Sequence, residues 1–160
     1  MKIGRLTVSD RASAGVYEDR SGPEIEKVLR ECLGAAAEFE SAIVPDETDL
    51  ISAALKHFAD ELKCDLAITT GGTGISTRDV TPEATRAVLD KELPGFGEIM
   101  RMQSFGKVKT AILSRAVAGT RGQTLIINLP GKPAAVRECL EILAPAIREG
   151  LAHLRGDDPH

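Results

Sequence analysis

The chain has 160 residues, of which 42% are hydrophobic, 28% charged and 3% aromatic, and its net charge is −4. These values are typical of one globular domain with a substantial core, and they exclude a largely disordered chain. The acidic balance and the scarcity of aromatic rings argue against nucleic-acid binding, which uses a basic face or stacking platforms.

Neither a membrane segment nor a cysteine metal motif is evident in the sequence. No hydrophobic run approaches the roughly 20 residues of a membrane-spanning helix, and the N-terminus turns directly into a strand pattern rather than a signal peptide. We therefore expect a cytoplasmic protein without membrane contact. Cys32, Cys64 and Cys139 lie too far apart for a metal-site spacing, and we expect them to be packing residues.

The first half of the chain predicts three strands that alternate with two helices. The strands cover residues 3–9, 37–44 and 65–70. The polar stretch from Asp10 to Arg20 predicts a loop. The first helix begins at Ser21–Glu24 and ends at Gly34, and the second is capped by Thr48 or Asp49. Both carry apolar residues at helical spacing.

The second half predicts further helices around a pair of extended segments. Thr81 is a predicted N-cap with Pro82 as the first helical residue, and another helical piece covers about 95–105. Residues 111–121 and 123–129 predict extended segments that turn at Gly122. A final helix follows Pro133. We expect Pro145 to kink or restart it, and the tail 155–160 to be frayed.

This alternation predicts an α/β fold, a three-layer sandwich in which helices flank a mainly parallel sheet. No repeat or linker divides the chain, so residues 1–160 predict one domain. Ligands in such folds bind at the carboxyl ends of strands. Polar residues follow four predicted strands, at Ser9–Arg11, Pro45–Glu47, Thr70–Asp79 and Asn128–Lys132. We expect these loops to share one cleft.

The segment from Thr69 to Thr77 carries the strongest signal for a ligand. It contains three glycines and five threonine or serine hydroxyls directly after an apolar strand. It is not a Walker A motif, and Thr77 occupies the place of the third glycine of the dinucleotide fingerprint. A plain strand-to-helix turn is the alternative interpretation. The density of glycines and hydroxyls favours a phosphate-binding loop.

Two acids follow strand ends that should face this cleft. Asp46 comes after the second strand and Asp79 lies in the glycine loop. Asp46 would otherwise be an Asx-turn residue and Asp79 a solvated loop acid. Two carboxylates beside phosphates are typical of a Mg²⁺ site, because Mg²⁺ keeps several waters and needs few protein ligands. Glu47 and Asp49 are lesser candidates.

The turn Leu129–Pro133 has two interpretations. It is either a stiff connection with Lys132 in solvent, or a place where Gly131 lets the backbone approach a phosphate and Lys132 adds positive charge. Ser114, Arg115 and Arg11 are individually weak candidates for further contacts. No Ser-His-Asp set is visible, so covalent catalysis is not favoured.

Six sequence words together resemble one known family. They are Val8–Gly15, Pro45–Glu47, Thr69–Thr85, Pro94–Glu98, Ala111–Arg115 and Asn128–Gly131. Occurring in this order, they are similar to the MogA-type molybdopterin adenylyltransferases of molybdenum cofactor biosynthesis and to the related gephyrin G domains. The resemblance covers nearly the whole chain and implies a molybdopterin-binding-like fold.

The resemblance implies transfer of AMP from ATP to the terminal phosphate of molybdopterin, with Mg²⁺ and release of pyrophosphate. By motif position, Asp46 and Asp79 would be the two functional acids and position the metal. Nucleotide phosphate would be held by Thr70, Gly71, Gly72, Thr73, Gly74, Ser76, Thr77 and Gly131. The pterin or phosphate side would be lined by Ser9, Asp10, Arg11, Ser114 and Lys132.

The resemblance also implies partners. The family is usually trimeric, so a homotrimer is expected, and a molybdenum-insertion protein is a candidate partner. The alternative is a relative of the same fold that binds molybdopterin without transferring adenylate, or that serves as a scaffold.

Overall fold

A six-stranded sheet forms the centre of the computed structural model, which describes residues 1–157. The strands are β1 (Lys2–Val8), β2 (Glu38–Val44), β3 (Leu66–Thr70), β4 (Lys91–Glu92), β5 (Ala118–Arg121) and β6 (Thr124–Leu129). Their order is β2-β1-β3-β6-β5-β4. The first four in this order are parallel to one another, whereas β5 and β4 are antiparallel to their neighbours.

Helices cover both faces of the sheet. They are α1 (Asp10–Ser13), α2 (Ser21–Leu33), α3 (Thr48–Lys56), α4 (Thr81–Arg86), α5 (Pro94–Phe105) and α6 (Pro133–Arg155). A π-helical turn, His57–Glu61, extends α3, and a 3-10 helix, Lys109–Leu113, follows α5. The predicted α/β class with a mainly parallel, helix-flanked sheet is confirmed.

Alternation along the central strands divides the core into two layers. Leu66 and Ile68 of β3 face the layer that contains α2, α5 and α6, and Ala67 faces the layer that contains α3 and α4. Ile126 and Ile127 of β6 divide in the same way. Both faces of these strands are buried, as is typical of parallel strands between helices.

Four local predictions differ from the structure. Asp10–Ser13 is a short helix rather than loop, because Ser9 Oγ accepts a hydrogen bond from the Ala12 N–H at 3.1 Å and caps it. Lys109–Leu113 is a 3-10 helix packed against α5 rather than an extended segment. The short strand β4 was not predicted. Helix α4 begins at Thr81 itself, one residue earlier than predicted.

The last helix also differs from its prediction. Helix α6 runs from Pro133 to Arg155 and includes Pro145, so this proline does not end or restart it. Gly156, with φ of +83°, caps the helix, so the first part of the predicted frayed tail is ordered helix and cap. Residues 158–160 of that tail lie outside the described residues.

The cysteines have the packing role predicted for them. Cys64 and Cys139 are buried, Cys32 is half-buried, and none forms a disulfide. Burial raises the pKa of the Cys64 thiol to about 11, which keeps it protonated at neutral pH. Within residues 1–157, no helix is both long and apolar enough to cross a membrane.

Candidate functional site

The carboxyl ends of β1, β2, β3 and β6 meet at one edge of the sheet, because these four strands are parallel. The loops that leave this edge contact one another. The Gly71 N–H donates to Leu129 O at 3.3 Å, and Thr70 Oγ1 donates to Pro130 O at 2.6 Å. A β-carbon built on Gly131 would lie 3.5 Å from Gly71 Cα. The loops after β3 and β6 therefore lie against each other at this edge, as predicted.

Two glycines of the loop have backbone conformations and surroundings that exclude a side chain. Gly71 has φ of +94°, and a β-carbon there would overlap the carbonyl oxygen of Val8. Gly72 has φ of +68°, and a β-carbon there would overlap Thr81 Oγ1 and lie 3.0 Å from Asp46 Oδ1. Thr81 Oγ1 in turn donates to Gly71 O at 2.9 Å. The loop is thus pressed against β1, α4 and Asp46.

Gly74 allows a similarly close approach to the second acid. Its φ is not positive, but a β-carbon there would lie 2.8 Å from Asp79 Oδ2. Asp79 Oδ2 also accepts a hydrogen bond from the Ser76 N–H at 2.9 Å. One glycine loop therefore approaches both predicted acids closely, Asp46 through Gly72 and Asp79 through Gly74.

Asp46 is joined to Asp10 by a reciprocal pair of hydrogen bonds. The Asp10 N–H donates to Asp46 Oδ2 and the Asp46 N–H donates to Asp10 Oδ1, both at 2.9 Å. Burial raises the pKa of the Asp46 carboxyl. The hydrogen bond from the Asp10 N–H opposes this shift, and the charges of Asp10 and Asp79 add to it. The charge of Asp79 thus acts on the Asp46 carboxyl in the same direction as burial.

Arg78 closes this network from the glycine loop. Its Nε and Nη2 donate to the two carboxylate oxygens of Asp10 at 3.0 and 2.9 Å. This forked contact lowers the pKa of Asp10. Sequence reasoning assigned no role to Arg78, although its place within the glycine loop was visible.

A second arginine holds the same loop from the other side. Arg115 Nε donates to Gly74 O and its Nη2 donates to Asp79 O, both at 2.7 Å, while its Nη1 pairs with Glu83. The sequence suggested Arg115 only as a weak additional contact. Its partners are backbone carbonyls distant in sequence, which no motif identifies.

The polar residues predicted for the pterin or phosphate side are divided between two cavities. Ser9 lines a cavity of about 200 Å³ together with Thr7, Tyr17, Asp19, Thr70 and Gly71. Ser114 and Lys132 line a larger cavity of about 410 Å³ that also contacts Thr73 and Gly74. Gly131 lines both cavities.

The other predicted side chains lie at the periphery. Arg11 is exposed and its guanidinium lies 5.3 Å from the centre of the Tyr17 ring, outside both cavity linings. Ser76 and Thr77 are exposed in the glycine loop, whereas Thr73 is buried. Lys132 is the exposed residue that precedes α6.

The buried amide of Asn128, which the sequence places at the end of the last extended segment, ties the strands beneath the site. Asn128 Nδ2 donates to Thr69 Oγ1 at 3.0 Å and to Thr85 Oγ1 at 2.9 Å, and its Oδ1 accepts from the Val117 N–H at 3.2 Å. It therefore links β6, β3 and α4. This satisfied polar network fixes the register of the elements from which the loops emerge.

The residues at this edge suit a divalent cation. Within residues 1–157 no group of three metal-ligating side chains forms a ready-made cage. The two carboxylates of Asp46 and Asp79 lie beside glycines whose missing β-carbons leave room at the carboxylate oxygens. Hard oxygen ligands in small number are typical of Mg²⁺ carried by substrate phosphates.

Comparison with known proteins agrees with this architecture. A family model described as "Probable molybdopterin binding domain" matches residues 4–149. The molybdopterin adenylyltransferase of Helicobacter pylori J99 is 60% identical over 145 residues, which cover 91% of this chain and 82% of that protein. The protein of the same name from Escherichia coli K12 is 50% identical over 141 residues, or 88% of this chain and 72% of that protein.

A solved structure shares the fold closely. The molybdopterin biosynthesis enzyme MoaB from Thermus thermophilus superposes with a TM-score of 0.87 at 44% sequence identity. The match covers 97% of this chain and 96% of that one. The resemblance found in the sequence is confirmed, and the chain belongs to the molybdopterin adenylyltransferase family of molybdenum cofactor biosynthesis proteins.

Proposed function

We propose that this protein transfers AMP from ATP to the terminal phosphate of molybdopterin, with Mg²⁺, to give adenylylated molybdopterin and pyrophosphate. The observation that carries the proposal is that the glycine loop, which contains Asp79, also lies against Asp46 from the loop after β2. Asp46 Oδ1 lies 3.0 Å from the β-carbon position of Gly72, and Asp79 Oδ2 lies 2.8 Å from that of Gly74. The names of the curated relatives support the same reaction.

The proposed step is an in-line exchange at phosphorus. An oxygen of the molybdopterin phosphate forms a bond to the α-phosphorus of ATP, and the bond from that phosphorus to the bridging oxygen of the β-phosphate breaks. Pyrophosphate leaves with the electron pair. This reaction requires positioning and charge neutralisation rather than a protein nucleophile, which accords with a site built from acids, glycines and hydroxyls.

The glycine loop has the proposed role of holding nucleotide phosphate. Gly71 and Gly72 adopt positive φ, a conformation that lets the N–H groups after Gly71 turn toward an anion, whereas the Gly71 N–H donates to Leu129 O. Thr70, Thr73, Ser76 and Thr77 bring hydroxyls to the same loop, and Gly131 permits close approach from the β6 side. Asp46 and Asp79 would hold Mg²⁺, which when bound neutralises phosphate charge.

The larger cavity is the better candidate for the pterin. Its volume of about 410 Å³ falls in the range of small-molecule sites, and apolar Met100, Val108 and Leu113 line it beside polar Ser114 and Lys132. The pterin is a flat ring system, so its faces suit the apolar side chains and its polar edge suits Ser114 and Lys132. The opening toward Thr73 and Gly74 would bring the pterin's phosphate to the glycine loop. Ser9, Asp10 and Arg11 would then act on the nucleotide side rather than the pterin side.

We propose further that the protein acts as a homotrimer in the cytoplasm and passes its product to a molybdenum-insertion protein. Apart from the side chains that line the larger cavity, exposed apolar side chains lie at the end of α5 and on the following 3-10 helix, at Met102, Phe105 and Ile112. Subunit association would remove this apolar surface from water. Sedimentation should give three times the chain mass of 17.0 kDa.

Incubation of the purified protein with molybdopterin and Mg-ATP tests the function. We expect pyrophosphate and adenylylated molybdopterin in equal amounts. Molybdopterin binding without either product would contradict the enzyme proposal and favour a relative that only binds or scaffolds. Replacement of ATP by a non-hydrolysable α,β-methylene analogue is the control, because the bond to be broken is then absent.

A further inference from the structure

We propose that Arg115 is a positioning residue that holds Asp79 in place for adenylyl transfer. This inference rests on the proposed function, because it assigns a role in that reaction. Arg115 lies between the 3-10 helix Lys109–Leu113 and β5, outside the glycine loop in sequence. It acts on the loop through backbone carbonyls and not through the carboxylate itself.

One guanidinium joins both ends of the exposed part of the loop. Arg115 Nε donates to Gly74 O and Nη2 donates to Asp79 O, each at 2.7 Å. The Arg115 N–H also donates to Thr73 O at 2.8 Å. The residues between these anchors, Ile75 to Arg78, are exposed. The clamp therefore closes a short exposed segment at its two ends.

The closure of this segment determines where the Asp79 carboxylate points. Asp79 Oδ2 lies 2.8 Å from the β-carbon position of Gly74, and the carbonyls of both residues accept hydrogen bonds from the same arginine. The Ser76 N–H donates to the same carboxylate oxygen at 2.9 Å. Without the guanidinium, Gly74 O and Asp79 O lose the hydrogen-bond donor that they share, and the Asp79 carboxylate keeps only its contact with the Ser76 N–H inside the exposed segment.

Glu83 holds the guanidinium in the orientation that the clamp needs. Its carboxylate pairs with Arg115 Nη1 from the first turn of α4, and the arginine lowers the pKa of this carboxyl. Only about two-thirds of the Arg115 side chain is shielded from solvent. The pair therefore acts mainly by geometry, because solvent screens much of its Coulomb energy.

Lysine cannot replace this arginine. The planar guanidinium directs Nε, Nη1 and Nη2 along three different lines, to Gly74 O, to Glu83 and to Asp79 O. A lysine ammonium is a single point with no fixed fork. The geometry thus predicts that Arg115→Lys behaves more like Arg115→Ala than like the wild type.

Arg121 provides a matched control at the opposite end of the sheet. Like Arg115, it uses all three guanidinium nitrogens: Nε and Nη2 donate to Asp60 at 3.0 and 2.8 Å, and Nη1 donates to the backbone carbonyl Val88 O at 2.9 Å. It is similarly shielded, with about a quarter of its side chain exposed. Arg121→Ala removes comparable contacts without touching the glycine loop.

A double-mutant cycle of kcat values, measured as label transfer at saturating substrate concentrations, tests the proposal. We expect Arg115→Ala to lower kcat by about 10- to 100-fold, as is typical when a residue that orients a metal ligand is removed. In an Asp79→Asn background the same change should cost less than about 3-fold, because a residue that acts through Asp79 has nothing left to position. A full multiplicative loss in that background, or wild-type kcat for Arg115→Ala, would overturn the proposal.

Hydrogen exchange tests the same clamp without reference to activity. Arg115→Ala should raise amide exchange across residues 74–79, and Arg121→Ala should leave that segment unchanged. Unchanged exchange in Arg115→Ala would overturn the inference even if the protein proves to be an adenylyltransferase. Raised exchange in a protein that forms no product would contradict the proposed function and leave the clamp itself confirmed.

Discussion

Asp10 and Asp46 exchange two hydrogen bonds, in which each backbone N–H donates to the carboxylate of the other residue at 2.9 Å. The pair joins the loop after β1 to the loop after β2. It holds Asp46 beside Gly72 while burial and the neighbouring acids raise the pKa of its carboxyl. Such an unfavourable charge is typical of functional sites, where stability is given up for chemistry.

The charge of Asp46 should cost folding stability in the metal-free protein. A carboxyl whose pKa is raised by folding binds more protons in the folded state, so its ionisation destabilises the fold as pH rises through that raised pKa. Below the unfolded value of about 3.9 the cost is absent. We expect Asp46→Asn to raise Tm at pH 7, with an advantage that shrinks toward pH 4.

Calorimetry in EDTA checks this prediction, with Glu38→Gln as the control at the opposite end of β2. The amide oxygen introduced by Asp46→Asn can still accept the hydrogen bond from the Asp10 N–H, so the fold should be retained. Equal Tm values for Asp46→Asn and wild type at both pH values would contradict the interpretation. The variant should nevertheless lose most transferase activity.

Gly72→Ala should abolish activity through sterics and backbone strain. Its φ is +68°, and the new methyl group would meet Thr81 Oγ1 and Asp46. A misplacement of about 1 Å at a reacting site costs on the order of 100-fold in rate. Gly122→Ala is the matched control, because φ is +55° but nothing lies within 4 Å of the new methyl group.

Both variants should lose about 1 kcal/mol or more of unfolding free energy from the left-handed backbone alone. Only Gly72→Ala should lose turnover. If both variants retain wild-type turnover, the loop does not require the observed approach to Asp46. Urea unfolding and pyrophosphate release measure the two effects separately.

Two ion pairs near the site should differ greatly in their importance for stability. Asp19 is 8% exposed and accepts hydrogen bonds from Arg5, Thr7 and the Gly22 N–H. Asp19→Ala removes these hydrogen bonds, although Arg5 keeps its pair with Glu26 at 2.8 Å, and should cost about 2 kcal/mol or more. Arg78→Ala breaks a pair in which both side chains are more than 40% exposed, so solvent screens the pair and its loss should destabilise the fold much less. Equal losses in urea unfolding would contradict this ranking.

Removal of divalent cations should stop the reaction without unfolding the protein. EDTA is expected to reduce product formation to background, and added Mg²⁺ should restore it. Without a cation the carboxylates of Asp46 and Asp79 repel each other, and the phosphate charge beside them is not neutralised. Unchanged turnover in EDTA would contradict the two-acid metal site. Circular dichroism before and after chelation is the control for folding.

The sequence identified the strand ends and the glycine loop because their signals are local. Strand β3 is a continuous apolar run, and Gly71 to Gly74 follow it directly. The clamp by Arg115 was not predictable, because it bonds to carbonyls 36 and 41 residues away that every residue type possesses. Helix α1 was missed because its four residues depend on a cap at Ser9 rather than on an apolar stripe.

The 3-10 helix and the continuous helix α6 were not predicted because tertiary packing determines their conformation. Residues 109–113 contain Ala111, Ile112 and Leu113, which suit a strand by composition. Packing against α5 determines their helical conformation instead. A similar tertiary effect keeps α6 continuous at Pro145, because the apolar face on both sides of this proline is buried against the sheet.

Adenylyl transfer by this protein should require the carboxylate of Asp79 in the glycine loop. The most direct test follows label from α-³²P-ATP to molybdopterin with the wild type and with Asp79→Asn. The substitution preserves shape, and the new amide oxygen can still accept the hydrogen bond from the Ser76 N–H. We expect rapid label transfer by the wild type and a loss of at least about 100-fold in the variant, with both proteins folded. Label transfer by Asp79→Asn at the wild-type rate would contradict a requirement for this carboxylate.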